Sequence, residues 1–400
     1  MYNGYGDSMK KIILIFIGLF LFINVSALEI NSNSAILYNL NDNSVIYEKN
    51  SEDVVQIASL TKIVTAITVI ENVEDLNKEV TITSKMLQGL NGYAKAGFKV
   101  GDKLTYLDLL YALMLPSAAD AAQALAIETS GSIEEFANLM NQKVSDIGVT
   151  NSKFDNPVGM DSENNYSTAS DLAKILIYSL KNETFETIFN TNTYRIDNLN
   201  KTVRKTLSSY DIDTSIIKGA KTGYETIAGL CLASTSTIED VDYLLITLGA
   251  DDSAKNHVID TINIYEYYST NYGYINILEK DQLLETIEVK HSKTKTYDII
   301  AKENISLYLE KSIKDNLKYK YEGIEELNRK IKKGDKLGSV YVLNNDDIIY
   351  TYDVYLDTEI KYYNYALYIS IAIVIILVII ILNKLRKKKS KKRKLKRIKK

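Results

Sequence analysis

Eighteen consecutive residues, Tyr365 to Leu382, carry no charge and a single Ser, and they lie close to the C-terminal end of a 400-residue chain. A bilayer core of roughly 30 Å is crossed by about 20 apolar residues in a helix, so this run is read as a membrane span. It limits everything else, because any globular part must fold upstream of it. Residues 383–400, downstream, hold thirteen Lys and Arg and no acid. Positive charge flanking a span stays cytoplasmic, which places the globular part outside the cell. Nucleic-acid binding is a weaker reading of this tail, since topology already accounts for its charge. Attraction to anionic lipid is a natural secondary role.

The other end has a similar logic. Met9-Lys10-Lys11 precedes an apolar run from Ile12 to Ile23, and Val25-Ser26-Ala27 offers small residues after it. Basic, apolar and small in that order is the pattern of a secretory signal peptide. The run is also too short to span a bilayer. Residues 1–27 are therefore expected to be a signal peptide cut after Ala27, with Met9 as the candidate start. An uncleaved anchor is the competing reading. The formal charge of −3 hides the character of the exported part. Setting aside the thirteen bases of the tail and Lys10, Lys11 and Asp7 leaves 33 basic and 50 acidic residues, a balance near −17. Such a surface is unsuited to nucleic acid, and no nucleic-acid partner is expected.

A single Cys, Cys231, excludes an internal disulfide, and its apolar stretch reads as the site of a buried thiol. Two histidines, His257 and His291, cannot furnish a His-rich metal site, and neither sits in a motif that a Ser-His-Asp triad would use.

Between the ends, residues 34–48 read as a hairpin about an Asn-Asp-Asn turn. Apolar residues then recur at helical spacing from Ser59 through Leu60, Ile63, Val64, Ile67 and Ile70. Thr105 with Asp108, Ser132 with Glu135, and Thr168 with Asp171 each pair an N-cap residue with an acid three positions on. Helices are expected at about 105–115, 117–129, 132–146 and 168–181. Buried strands are expected at 227–233 and 241–248, and a helix over 253–268. Texture changes near residue 282, after which short runs alternate with Gly and Asn-Asp turns, with a short helix over 324–331. The plan is a mixed α and β domain over 28–280, a β-rich domain over 281–360, a span over 365–382 and a basic tail over 383–400.

Ser59-Leu60-Thr61-Lys62 is S-x-x-K at a helix start. Three residues are nearly one helical turn, so the two side chains face the same way. A hydroxyl is a weak nucleophile, and a Lys whose pKa is lowered by burial can serve as its base. Downstream of it the chain has two further matches, Ser215 to Lys218 and Ser292 to Lys295, which lack a following apolar helix. Lys221-Thr222-Gly223 opens a strand-like run. A sheet edge there can pair with an extended peptide. The Gly lets the backbone come close, while Lys and Thr offer a cation and a hydroxyl to a carboxylate. A turn Gly after a strand-capping pair is the plainer reading. Ser117, in Pro116-Ser117-Ala118-Ala119-Asp120, lies between two expected helices. It reads either as a proton relay or as a helix N-cap.

The order of these three elements resembles penicillin-binding proteins and β-lactamases, whose pattern is S-x-x-K, S-x-N and K-T-G. Asn156-Pro157-Val158-Gly159-Met160-Asp161 is similar to the N-P-x-G-L-D loop of D-alanyl-D-alanine carboxypeptidases. Ser167-Thr168-Ala169-Ser170-Asp171-Leu172-Ala173 resembles their S-T-A-x-D-L-A helix start. The resemblance covers roughly residues 29–275, with a family-like β domain after it. It implies an α+β fold, an antiparallel sheet flanked by helices, then a small all-β domain and a C-terminal transmembrane helix.

The resemblance also implies a mechanism and its partners. Ser59 attacks the carbonyl between two D-alanines of a peptidoglycan stem peptide, Lys62 accepts its proton, and Ser117 passes it to the departing D-alanine. Lys221 and Thr222 hold the terminal carboxylate, the backbone N–H groups of Ser59 and Tyr224 form the oxyanion hole, and no metal or organic cofactor is implied. β-Lactams acylate the same serine. The family pattern has Asn where Ala119 stands, and Asp120 is a candidate to supply part of its role. A β-lactamase, a D,D-endopeptidase and a non-catalytic wall-binding protein are the alternatives. The added β domain is expected to set the height of the site above the bilayer.

Overall fold

The computed structural model describes residues 28–252 and 255–398. The expected signal peptide lies outside the described residues. The chain forms two compact units that divide between Ser269 and Thr270.

The first unit opens with the hairpin read from the sequence, β1 (Ser34–Asn39) against β2 (Ser44–Lys49). A 3-10 turn, Ala58–Leu60, runs directly into α1 (Thr61–Asn72). A short antiparallel pair, β3 (Glu79–Thr81) and β4 (Lys103–Thr105), leads to α2 (Tyr106–Met114). Then follow α3 (Ala119–Ser130), α4 (Ile133–Ile147), α5 (Ala169–Leu180) and α6 (Glu183–Asn190). A second short pair, β5 (Thr193–Ile196) and β6 (Lys201–Arg204), precedes three longer strands, β7 (Gly219–Glu225), β8 (Gly229–Ile238) and β9 (Val241–Ala250). The unit closes with α7 (Asn256–Asn271).

The cap residues act as the sequence requires. Thr105 Oγ1 accepts the Asp108 N–H at 3.0 Å, and Asp108 Oδ2 accepts the Thr105 N–H at 2.9 Å. Ser132 and Thr168 accept from Glu135 and Asp171 in the same manner. Helix α6 had not been anticipated, although Asn182 caps it by accepting from Thr184 and Phe185.

The antiparallel sheet has the order β2-β1-β9-β8-β7, which leaves β7 on an edge. Its two faces are covered by different helices. Leu244, Ile246 and Leu248 of β9 join the core built by α1 to α6. Tyr243 and Ser234 meet Tyr265 of α7 instead, the latter through a 2.9 Å hydroxyl contact. Helix α1 is buried from Thr61 through Val69 without a break, so it is a central helix and not an amphipathic surface one. Cys231 is fully buried, and burial pushes its thiol up to about 12, which makes it inert.

The second unit consists mainly of strands. β10 (Tyr272–Leu278), β11 (Leu283–Val289), β12 (Thr296–Ile300) and β13 (Ile305–Glu310) are followed by β14 (Leu317–Gly323) and β15 (Glu326–Leu327). β16 (Lys336–Asn344) and β17 (Asp347–Tyr355) complete the set. They form the sheets β10-β13, β12-β11-β15 and β14-β16-β17. The expected helix over 324–331 is absent, because Leu327 pairs in parallel with Val289 and is buried there. The texture change read near residue 282 falls after the structural division, because β10 pairs with β13. Helix α8 (Tyr365–Ile398) then runs without interruption, and its stretch Tyr365–Lys392 is long and apolar enough to cross a membrane.

One carboxylate ties the first unit together at its chain start. Asp260 of α7 is buried and accepts the backbone N–H groups of Asn31 at 3.0 Å and Ser32 at 2.7 Å, together with both of their side chains. Asp260→Ala leaves those donors unpaired, and urea unfolding of the detergent-solubilised full chain should show a loss of about 3 kcal/mol.

Candidate active site

Ser59 sits in the middle of the 3-10 turn that feeds α1. The residue before it, Ala58, has φ 47°, in the left-handed region. That conformation costs of order 1–3 kcal/mol and persists only where the surroundings impose it. The loop Asn156–Met160 imposes it here. Gly159 is at φ 86°, and a Cβ on it would collide with the Ala58 carbonyl. Only Gly permits both that backbone angle and that approach.

Lys62 lies one turn on. Its Nζ is 2.8 Å from Ser59 Oγ and donates to the Val158 carbonyl at 2.6 Å. The side chain is 1% exposed. Burial lowers its pKa to about 7, opposed by the Glu225 carboxylate. A substantial fraction is therefore neutral amine at neutral pH, in contact with a hydroxyl. The Val158 carbonyl is itself placed by Asn156, whose Oδ1 accepts the N–H groups of Val158, Gly159 and Met160 at 3.1, 2.8 and 3.0 Å. The Asn-Pro-Val-Gly segment, legible in the sequence only as a resemblance, thus supplies the second partner of Lys62.

Ser117 stands between α2 and α3 at φ 63°. It does not cap α3, whose N-cap is Ala118 and has no side-chain bond. Its Oγ instead accepts from Lys221 Nζ at 2.8 Å, and Lys221 also donates to the Thr222 carbonyl at 2.7 Å. Burial, and then the charge of Lys62, hold Lys221 well below the usual lysine range.

Strand β7 brings Lys221, Thr222, Gly223 and Tyr224 against the turn that carries Ser59. A Cβ on Gly223 would stand 3.1 Å from the Ser59 nitrogen and 3.2 Å from the Ile57 carbonyl. The Tyr224 side chain is half exposed and its hydroxyl donates to Asp252 Oδ2 at 3.2 Å, so this residue offers the site its backbone. Ser59, Lys62, Ser117, Thr222, Gly223 and Tyr224 line one cavity of about 290 Å³. Lys221 reaches it through Ser117.

Sequence reasoning had not singled out Tyr93, Thr206, Tyr210 and Glu225, which line the same cavity. Glu225 was within reach of it, because alternation along β7 puts 221, 223 and 225 on one face. Burial and the Asp161 charge raise the Glu225 carboxyl above its ordinary value.

A sequence model described as D-alanyl-D-alanine carboxypeptidase matches residues 22–252, more than half of the chain. The chain belongs to the D-alanyl-D-alanine carboxypeptidase family. A second model, described as the C-terminal domain of penicillin-binding protein 5, matches residues 272–362, the β-rich unit. The carboxypeptidase DacF of Bacillus subtilis is 26% identical over 338 residues, 81% of this chain and 84% of the relative. The carboxypeptidase DacD of Francisella tularensis has the same fold, with a TM-score of 0.64 at 20% identity over 84% of this chain and 95% of that one. A Streptomyces DD-transpeptidase superposes with a TM-score of 0.55 at 30% identity, over 60% of this chain and 97% of that one.

Against the carboxypeptidase pattern, Ala119 is fully buried. Asp120 does not replace the missing amide. Its carboxylate accepts the N–H groups of Ala96, Gly97 and Phe98 at 2.9, 2.8 and 3.2 Å, and that of Ala121 at 3.0 Å. It is a loop anchor with its oxygens already occupied. Asp120→Ala should destabilise the full chain by about 2–3 kcal/mol and speed amide exchange at Ala96, Gly97 and Phe98, read by hydrogen-exchange mass spectrometry.

Proposed function

We propose that this chain, a serine-type D-alanyl-D-alanine carboxypeptidase, trims peptidoglycan stem peptides through an acyl-enzyme on Ser59. The observation that carries the reading is the 2.8 Å contact of Ser59 Oγ with the Nζ of a buried Lys62. The Lys221–Ser117 pair beside the same cavity supports it.

In this reading an extended peptide lies along the free edge of β7. Its terminal carboxylate meets Lys221 and Thr222, and that negative charge restores the proton of Lys221. Lys62 takes the Ser59 proton as Oγ adds to the carbonyl carbon of the penultimate D-alanine. The carbonyl oxygen becomes negative and is met by the N–H groups of Ser59 and Tyr224, each worth ~2.7–4 kcal/mol in such a site. Collapse breaks the C–N bond, and the departing nitrogen receives, through Ser117, the proton that Lys62 held. Water then attacks the ester carbonyl, Ser59 recovers a proton and the shortened peptide leaves. A β-lactam enters the same path, its ring amide opening in place of the peptide bond.

Location follows from the ends of the chain. Residues 1–27 direct export and are removed. Residues 28–280 act outside the cell, and 281–360 set their height above the bilayer. Residues 365–382 cross the membrane, and 383–400 remain cytoplasmic. The exposed apolar side chains from Tyr365 to Leu382 support an anchor, because so large an apolar surface needs a cover and the helix is long and apolar enough to cross a bilayer.

Benzylpenicillin should add once to the full chain, and tryptic mass spectrometry should map the adduct to Ser59 and lose it in Ser59→Ala. A folded protein that forms no adduct would turn the reading to the wall-binding alternative that Ala119 favours. The acylation rate should also fall as pH drops through about 7, because protonated Lys62 cannot act as a base. A rate flat from pH 5 to 9 would exclude Lys62 from that role.

A further inference from the structure

We propose that the Tyr93 hydroxyl is a substrate-positioning group of this site, donating a hydrogen bond to a carbonyl of the bound peptide from the wall that β7 does not supply. The inference rests on the carboxypeptidase reading of the cavity and adds a residue to it.

The start of α3 holds the loop that carries Tyr93. Ala119 N–H donates to the Ala94 carbonyl at 2.8 Å. The next residue, Asp120, takes the N–H groups of Ala96, Gly97 and Phe98. Two consecutive residues of α3 therefore fix the loop from Ala94 to Phe98. Ala119 is fully buried, and the cavity wall beside Ser117 is made by Gly92, Tyr93 and Ala94. Ala119 brings no polar side chain to this wall, so its polar groups come from the loop and from Ser117.

Tyr93 is suited to that role. Its ring packs on the helical core, which fixes it. Tyr93 lines the cavity, and its hydroxyl has no hydrogen-bond partner among the described residues. Burial and the carboxylates of Glu225 and Asp161 raise its pKa, so it remains a protonated donor at any pH the enzyme meets. A peptide paired with β7 directs half of its carbonyls at that strand and half away from it. The latter need a donor on the other wall, and a phenol supplies one with few rotatable bonds.

Tyr93→Phe keeps the ring and removes only the hydroxyl. The test uses the full chain in detergent and an acylated tripeptide ending in D-Ala-D-Ala, with benzylpenicillin acylation measured in parallel. The expected result is a fall of about five- to tenfold in kcat/KM for the peptide, the size of one lost hydrogen bond. The unfolding midpoint and the pH midpoint of the rate should stay unchanged. If the wild type acylates and Tyr93→Phe matches it in kcat/KM, this inference is overturned alone. A fall that tracks a lowered unfolding midpoint overturns it as well, since the role is then structural. If the wild type forms no adduct, the carboxypeptidase reading fails, and this inference fails with it.

Discussion

A lysine side chain sealed in the first turn of the central helix is the constraint that the rest of the first unit serves. An ammonium without a partner in that position would cost several kcal/mol. Lys62 escapes most of that cost by a lowered pKa and by two oxygens, Ser59 Oγ and the Val158 carbonyl. The second oxygen comes from residues almost a hundred positions away, and it needs its own support. Asn156 holds three successive N–H groups, and Gly159 lets the loop touch the turn that carries Ser59. The left-handed Ala58 follows from the same contact. Strain at Ala58, a glycine with no alternative and an asparagine bound to its own loop are thus consequences of one buried amine.

Across the cavity the logic is repeated with a different sign of need. Lys221 is buried too, and Ser117 is drawn into an unfavourable backbone angle to give it an oxygen. Helix α3 begins without a side-chain cap as a result. The local helix loses a stabilising group and the site gains one.

Much of this was legible because the sequence signals are local. The S-x-x-K spacing fixes one turn of helix, and three capped helix starts follow from residues three apart. The edge position of β7 agrees with Lys-Thr-Gly beside an apolar run. What escaped depends on direction or on distance along the chain. A carboxylate beside a missing amide suggested that Asp120 fills in for it. Only the fold reveals that it points to the loop 96–98. Ser117 fits a helix cap as well as a relay, and its partner lies 104 residues further on. Tyr93 belongs to a loop with no periodicity. Ile324, Leu327 and Ile331 have helical spacing, yet parallel pairing with Val289 claims Leu327 for a strand.

The unbroken course of α8 has a mechanical consequence. From Leu382 to Ile398 the helix continues for sixteen residues, which at about 1.5 Å per residue is a rod of roughly 24 Å. Electrostatic attraction to a charged leaflet fades over about 8 Å at physiological salt. With the apolar stretch seated in the bilayer, only the first two turns of the basic rod lie within reach of lipid headgroups. The remaining turns would then extend beyond that range, because the helix has no break at which they could fold back.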